Sequence, residues 1–307
     1  MATVRNDHEY GKQRLWGTLG WGLLSPLAGW AVGRFGVGQG GFLGYAAGSV
    51  ACFVVCLAVD FSPLYTTHSV LQGGSDDQEA NVSAPLLGGH HDATSDPGVF
   101  QHCETPSLLH VLSKPASIAW LLLSATMGYG IGAIENFFFL SLEDLGAHPL
   151  LMGFDLAVTC AAEAPVFFLS SHLYRHVSVE TALQIVLLAY VIRMGAYVAL
   201  PLLPSFWCIL PVDLLHGVTF GIGWSAGTIE AARLAPSNLR ATMQSVFQAT
   251  FSGLGYGTGG LVSGWLYHQG GGRAVFSGGV VVIVAGWLAY VVLRGVVVWG
   301  RRTRTIL

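Results

Sequence analysis

Five ionisable side chains stand in stretches that otherwise carry almost none: Glu135, Glu163, Arg193, Asp213 and His216. Their settings are IENFFFLSL, VTCAAEAPVFFL, LLAYVIRMGAYV and LPVDLLHGVTFG. A charge at the centre of a bilayer costs at least ~2.5–3.5 kcal/mol, so such residues normally face a cavity or one another. Two carboxylates, one arginine and an Asp/His pair on successive segments can compensate each other. Asp213 and His216, three apart, share a helix face. Pro165, two residues after Glu163, frees a backbone carbonyl and favours a bend beside the carboxylate. This chemistry suits binding of polar groups at a membrane midplane and movement of a proton. Plainer readings stand beside it. Glu163 and Arg193 could form a buried structural ion pair, Glu135 could snorkel to a membrane face, and a neighbouring carboxylate could satisfy His216. Asp213 lies close to the start of its segment. Arg14 and Trp21, in YGKQRLWGTLGWG, are seven apart and lie on similar faces. Arg14 reads as a topology anchor or a ligand to hydroxyls. Trp21 reads as ordinary apolar contact or as an aromatic platform for a sugar or base ring.

The elements that position these residues follow from composition. The chain has 307 residues, 52% hydrophobic and 10% charged, against roughly 25% charged in soluble domains. Several apolar runs exceed the ~18–20 residues a helix needs to cross hydrocarbon. The fold class expected is an all-α polytopic membrane protein. Eight spans are expected, near 15–33, 40–59, 116–141, 149–171, 180–203, 206–230, 241–267 and 274–299. Residues 60–114, rich in Gly, Ser, Asp and Pro, read as a disordered linker. The pattern is two helices (1–59), a linker (60–114), six helices (115–300) and a basic tail (301–307).

Several function classes fall away. A net charge of −3 offers nothing to nucleic acid. Neither a nucleophile–base pair nor a phosphate loop is present, so no enzyme and no cofactor is expected. The five cysteines do not make a disulfide framework, and Cys52 and Cys56 lack the flanking ligands of a metal site. His90, His91, His102 and Cys103 are too irregularly spaced for one. No signal peptide is expected at the polar N-terminus.

With the N-terminus in the cytosol, eleven of the fourteen Lys and Arg residues fall on the cytosolic side, only Arg34 and Arg273 fall outside, and Arg193 lies within a span. This bias places both termini and the linker in the cytosol. The acceptor-like Asn81-Val82-Ser83 is then expected to be unmodified. Gly40, Gly44 and Gly48, and the pairs Gly253/Gly257, Gly255/Gly259 and Gly260/Gly264, have the four-residue spacing that lets helix backbones approach closely in lipid.

The same residues carry a resemblance. YGKQRLWGTLGWG resembles the opening of the fifth helix in the lactose permease and nucleoside–proton symporter branch of the major facilitator superfamily (MFS). IENFFFLSL resembles its seventh helix, GFDLAVTCAAEAPVFF its eighth, VIRMGAYV its ninth, PVDLLHGVTFGIGW its tenth and ATMQSVFQATFSGLGYGTGG its eleventh. The likeness covers nearly everything except the linker, and is nearest to the MFS-domain-containing six-like group. It implies twelve helices in two six-helix bundles, of which the first four are expected to be missing here, giving a partial MFS fold of 2 + 6 helices. It implies a secondary transporter of a small polar solute, a sugar or nucleoside, with protons as the coupling partner. Arg14, Trp21 and Glu163 match positions that hold substrate; Arg193 and His216 match the proton-coupling network, and Glu135 an acidic position of the seventh helix. Two departures stand out. Thr219 occupies the place of the family's proton-carrying carboxylate, and Asp213 the place of a lysine. These move the proton role to Glu163 or Asp213, or open the alternative of a non-transporting scaffold or receptor-like protein, or an inactive fragment.

Overall fold

The computed structural model describes residues 20, 22–36, 44, 46–50, 54 and 107–306, the last stretch as main chain alone at 171 and 296–306. Arg14, Trp21, Asn81, Gly40 and most of the linker lie outside the described residues. The chain divides into two units, residues 1–41 with 105–307, and residues 42–104. Within the second, residues 46–50 are helical.

Among the described residues of the first unit there are helices and no strands. Residues 22–36 form one helix, and a short helix, Leu108–Leu112, leads into Pro115–Asp144. Proline opens both this helix and the next, Pro149–His176. At a first helical position its missing N–H costs nothing and its fixed φ is already helical. The turn between them passes through Gly146 at φ 81°, a left-handed conformation that suits glycine. Ser178 caps Val179–Val198 by accepting the N–H of Thr181. Pro165 sits inside an unbroken helix.

Among the described residues, five segments are long and apolar enough to cross a membrane. The last, Ser237–Gly295, has 59 residues, about twice what ~30 Å of hydrocarbon requires at 1.5 Å per residue. It is broken at Gly270 and Gly271, the latter at φ 62° and ψ −160°. The break divides it into two helices near the boundary that the apolar pattern places between the seventh and eighth spans. The molecule is inside-out relative to a soluble domain. Leu261, Trp265, Val281 and Val292 are 64–78% exposed, while Arg193 and Asp213 are buried. Such an arrangement is stable only where the surroundings are apolar.

The segment Phe206–Leu234 departs from the single helix expected for the sixth span. It runs as a 3-10 turn (Phe206–Ile209), a short α-helix (Leu210–Asp213), a π-helical stretch (Gly217–Ile222) and a final helix (Gly223–Leu234). A second π-helical stretch, Ala249–Gly255, follows the Arg240–Gln248 helix. Inserted π turns shift side chains off the regular helix face and recur at functional sites.

Glycine decides where the helices touch. A Cβ at Gly255 would lie 2.6 Å from the Ala125 carbonyl oxygen, and one at Gly128, Gly132 or Gly259 would meet facing backbone more closely still. The Pro115–Asp144 helix thus crosses the 249–269 region main chain to main chain. Of the predicted pairs, Gly255/Gly259 makes this contact; Gly253 and Gly257 face open space. Gly128 and Gly132, which the spacing analysis passed over, supply the other side. Gly29 and Gly153 pair in the same way between the 22–36 helix and Pro149–His176.

Candidate functional site

A cavity of about 690 Å³ opens among the helices of the first unit. Glu135, Asp155, Glu163, Arg193 and His216 line it, with Phe138, Phe220 and Tyr256 among the aromatic walls. The sequence reading brought four of these together in advance. Asp213, the fifth, is fully buried behind the wall and reaches the cavity only through its partners.

Arg193 organises the cluster. It projects from the C-terminal half of Val179–Val198 and is 2% exposed. Its Nε–H donates to the Tyr197 hydroxyl at 2.6 Å and to Asp213 Oδ1 at 2.9 Å. Its Nη1 lies 2.9 Å from His216 Nδ1 and donates to Thr219 Oγ1 at 3.2 Å. The Tyr197 hydroxyl in turn donates to Asp213 Oδ1. A guanidinium cannot accept a hydrogen bond, so His216 Nδ1 must be the acceptor and its Nε2 must carry the proton. Nε2 sits 2.6 Å from Glu163 Oε1. A continuous chain of polar contacts therefore runs Arg193–His216–Glu163.

The plainer reading of a direct Glu163–Arg193 ion pair is not what the geometry shows. Arg193 is bonded to Asp213 on the broken segment, and the imidazole stands between Arg193 and Glu163. The local folding explains why. Asp213 ends a short helix, His216 precedes the π-helical stretch, and Thr219 lies within it. Gly217 lets this stretch press against Ala162, one residue before Glu163. His216 is also stacked with Phe220, the ring centroids 5.6 Å apart. Glu135 lines the cavity near Tyr256, while Asn136 bonds back to its own helix at Gly132 O, 2.7 Å.

Two residues of the cluster were missed from sequence. Tyr197 gave no signal, since a tyrosine in an apolar helix is unremarkable. Asp155 could have been found by the rule that found Glu163: it is a lone carboxylate in GFDLAV, eight residues earlier on a similar helix face. Among the described residues no group of His, Cys, Asp and Glu is arranged to hold a metal ion. Arg14 and Trp21 lie outside the described residues.

The chemistry available is binding of a neutral polar solute or a cation. Four carboxyl groups (Glu135, Asp155, Glu163, Asp213) stand against one fixed positive charge, Arg193, and one imidazole, next to aromatic faces.

Comparison with known proteins fits this picture. The sequence matches the MFS_1 like family over residues 2–277. The mouse protein named major facilitator superfamily domain-containing protein 6-like is 27% identical over 173 residues, 55% of this chain and 29% of that protein. Its human namesake is 28% identical over 148 residues, 48% of this chain and 25% of that protein. A maltose permease of Geobacillus stearothermophilus is 24% identical over 271 residues, 87% of this chain and 59% of the permease. The chain thus spans from 25% to 59% of the length of these relatives. No solved structure matches. With a family match that runs nearly end to end over helices able to cross a bilayer, this chain belongs to the MFS_1 like family of the major facilitator superfamily.

Proposed function

We propose that this protein is a secondary transporter of a small polar solute of the sugar or nucleoside class, coupled to protons. Residues 115–300 form its C-terminal bundle and contribute one wall of the solute path. One observation carries the proposal: charged side chains that are expensive to keep in a membrane converge on a single cavity, beside aromatic faces. Its volume of about 690 Å³ falls in the usual ~300–1,000 Å³ range of small-molecule sites. Paired hydrogen-bonding groups and ring faces suit a polyhydroxylated ring. The maltose permease relative supports the sugar class.

In this reading Glu163 accepts hydrogen bonds from solute hydroxyls on its cavity side while His216 holds its other side. Arg193 fixes the tautomer of His216 and thereby the direction of the Arg193–His216–Glu163 chain. Glu135 contributes from the opposite wall. Arg14 and Trp21 are proposed, on resemblance, to complete the site from the first span. Access alternates as one helix bundle rocks against the other.

The test is uptake of labelled maltose, other sugars and nucleosides into proteoliposomes holding the protein, with Glu163→Gln as comparison. Uptake of at least one solute, lost at least tenfold in Glu163→Gln at equal folded protein, is the expected result. Unchanged uptake in Glu163→Gln would sink the assignment of that residue. No uptake of any solute by folded protein would favour the non-transporting alternative.

A further inference from the structure

Asp155 was not among the residues expected to act, and its surroundings are unusual. It is 2% exposed, and Asp213 is 0% exposed. Asp155 Oδ1 and Asp213 Oδ2 are both without any hydrogen-bond donor among the described residues. Asp155 and Asp213 lie close enough to interact. The packing of their segments brings the two residues into the same neighbourhood. The Pro149–His176 helix and the Phe206–Leu234 segment run parallel, with Phe154 against Trp207, Ala162 against Gly217 and Val166 against Gly221. Asp155 and Asp213 fall between the first two of these contacts.

Charge and hydrogen bonding then lead to one conclusion. Arg193 satisfies Asp213 Oδ1, and its single positive charge balances one carboxylate. Tyr197 also donates to Oδ1. The remaining groups near the pair are His216, held between Arg193 and Glu163, and Glu135 and Tyr256 on other walls of the same cavity. From the 22–36 helix, which packs on Pro149–His176 at Gly153 and Cys160, the charged residue is Arg34, and it is exposed. None of these supplies a donor to the two orphan oxygens. Two buried acceptors close to one another repel, and each without a donor costs free energy.

The geometry points to a proton-binding site formed by Asp155 and Asp213, which share one proton in an O–H···O bridge between Asp155 Oδ1 and Asp213 Oδ2. The bridge removes the repulsion and satisfies both orphan atoms with one atom of hydrogen. Asp155 lines the cavity while Asp213 does not, so the proton enters and leaves on the Asp155 side. Asp213 links the bridge to Arg193, and Arg193 to His216 and Glu163. A titratable pair is thus wired to the solute residue although Thr219, in the hydrogen-bond shell of Arg193, cannot titrate. The proton site does not need the transport reading; its use in coupling rests on that reading.

The experiment is infrared spectroscopy of the purified protein in lipid at neutral pD, read at the carbonyl stretch of protonated carboxylic acids. The wild-type chain is expected to show such a band, and Asp155→Asn, which keeps the shape of the side chain, is expected to lose it. Asp213→Asn is expected to lose it too, and Glu163→Gln to keep it. Circular dichroism and gel filtration establish that each variant is folded. A wild type without the band would overturn the proposal. So would a band that survives in both aspartate variants, or one removed by Glu163→Gln instead. None of these readouts requires solute flux, so failure of the proton site and failure of the transport reading are separable. If uptake is measurable, Asp155→Asn is expected to abolish its dependence on a pH gradient.

Discussion

Arg193 holds more of this site than any other residue, and it does so from within a helix. Its contacts reach Asp213, Tyr197, His216 and Thr219 at once. Removing it strands Asp213 as a buried charge, a loss of about 3–5 kcal/mol. Arg193→Ala is therefore expected to lower the thermal unfolding midpoint in detergent sharply. Adding Asp213→Asn to that variant should recover part of the loss, because the stranded charge goes with it. Full additivity of the two substitutions would show that the pair does not interact. Arg193→Lys is expected to fail as a replacement, since an ammonium cannot span the same four partners in the guanidinium plane. How much of this was legible in the sequence depends on what kind of fact is asked for. The rarity of charge in apolar runs singled out Glu135, Glu163, Arg193 and His216. Who bonds to whom was not legible, because it turns on interhelical distances of a few ångströms. The displacement of Glu163 from Arg193 by an intervening imidazole is the clearest instance.

At the scale of elements, crossings and breaks were unequally visible. The apolar runs located the spans of the described residues to within a few positions. The interruption of Phe206–Leu234 was not anticipated, although Pro211 and the glycines at 217, 221 and 223 stand in it. Hydropathy averages over a window and does not sense a π turn. Glycine spacing was informative only in part, since spacing marks a face but not whether anything lies against it. Gly255 and Gly253 separate the two cases. Gly255→Ala drives a methyl group into the backbone at Ala125 and Gly128, and is expected to lower the unfolding midpoint. Gly253→Ala and Gly257→Ala meet open space and should be neutral or stabilising by roughly 0.5–1 kcal/mol. Equal effects at all three would mean that the crossing is looser than described. Gly271, at φ 62° and ψ −160°, lies where other residues are strained by about 1–3 kcal/mol. Gly271→Val should therefore destabilise the junction between the last two spans, read as faster proteolysis there.

At the scale of the whole molecule, orientation is the open quantity that charge distribution addresses. The excess of Lys and Arg on one side predicts that Cys103, in the segment between the second and third spans, is labelled by a membrane-impermeant thiol reagent only after cells are permeabilised. Cys208, an exposed thiol at the opposite end of its span, should react in intact cells if the protein reaches the surface. Labelling in the reverse order would invert the topology. Fold class was legible at this scale because the bilayer imposes one simple demand, a long apolar run for each crossing. The identity of the solute was not, because it is set by the placement of a handful of atoms around one cavity.

The glycine crossing between Pro115–Asp144 and the 249–269 region has a mechanical meaning. Where main chains meet without side chains between them, nothing interlocks. The contacts are dispersion and weak Cα–H···O attractions, which vary smoothly as one helix slides along the other and need no rotamer to be reset. The Arg193 cluster, on another helix of the same unit, is held by directional bonds that must break before anything moves. One contact therefore acts as a bearing and the other as a catch. On the transport reading proposed above, motion of these helices is timed at the catch and only guided by the bearing.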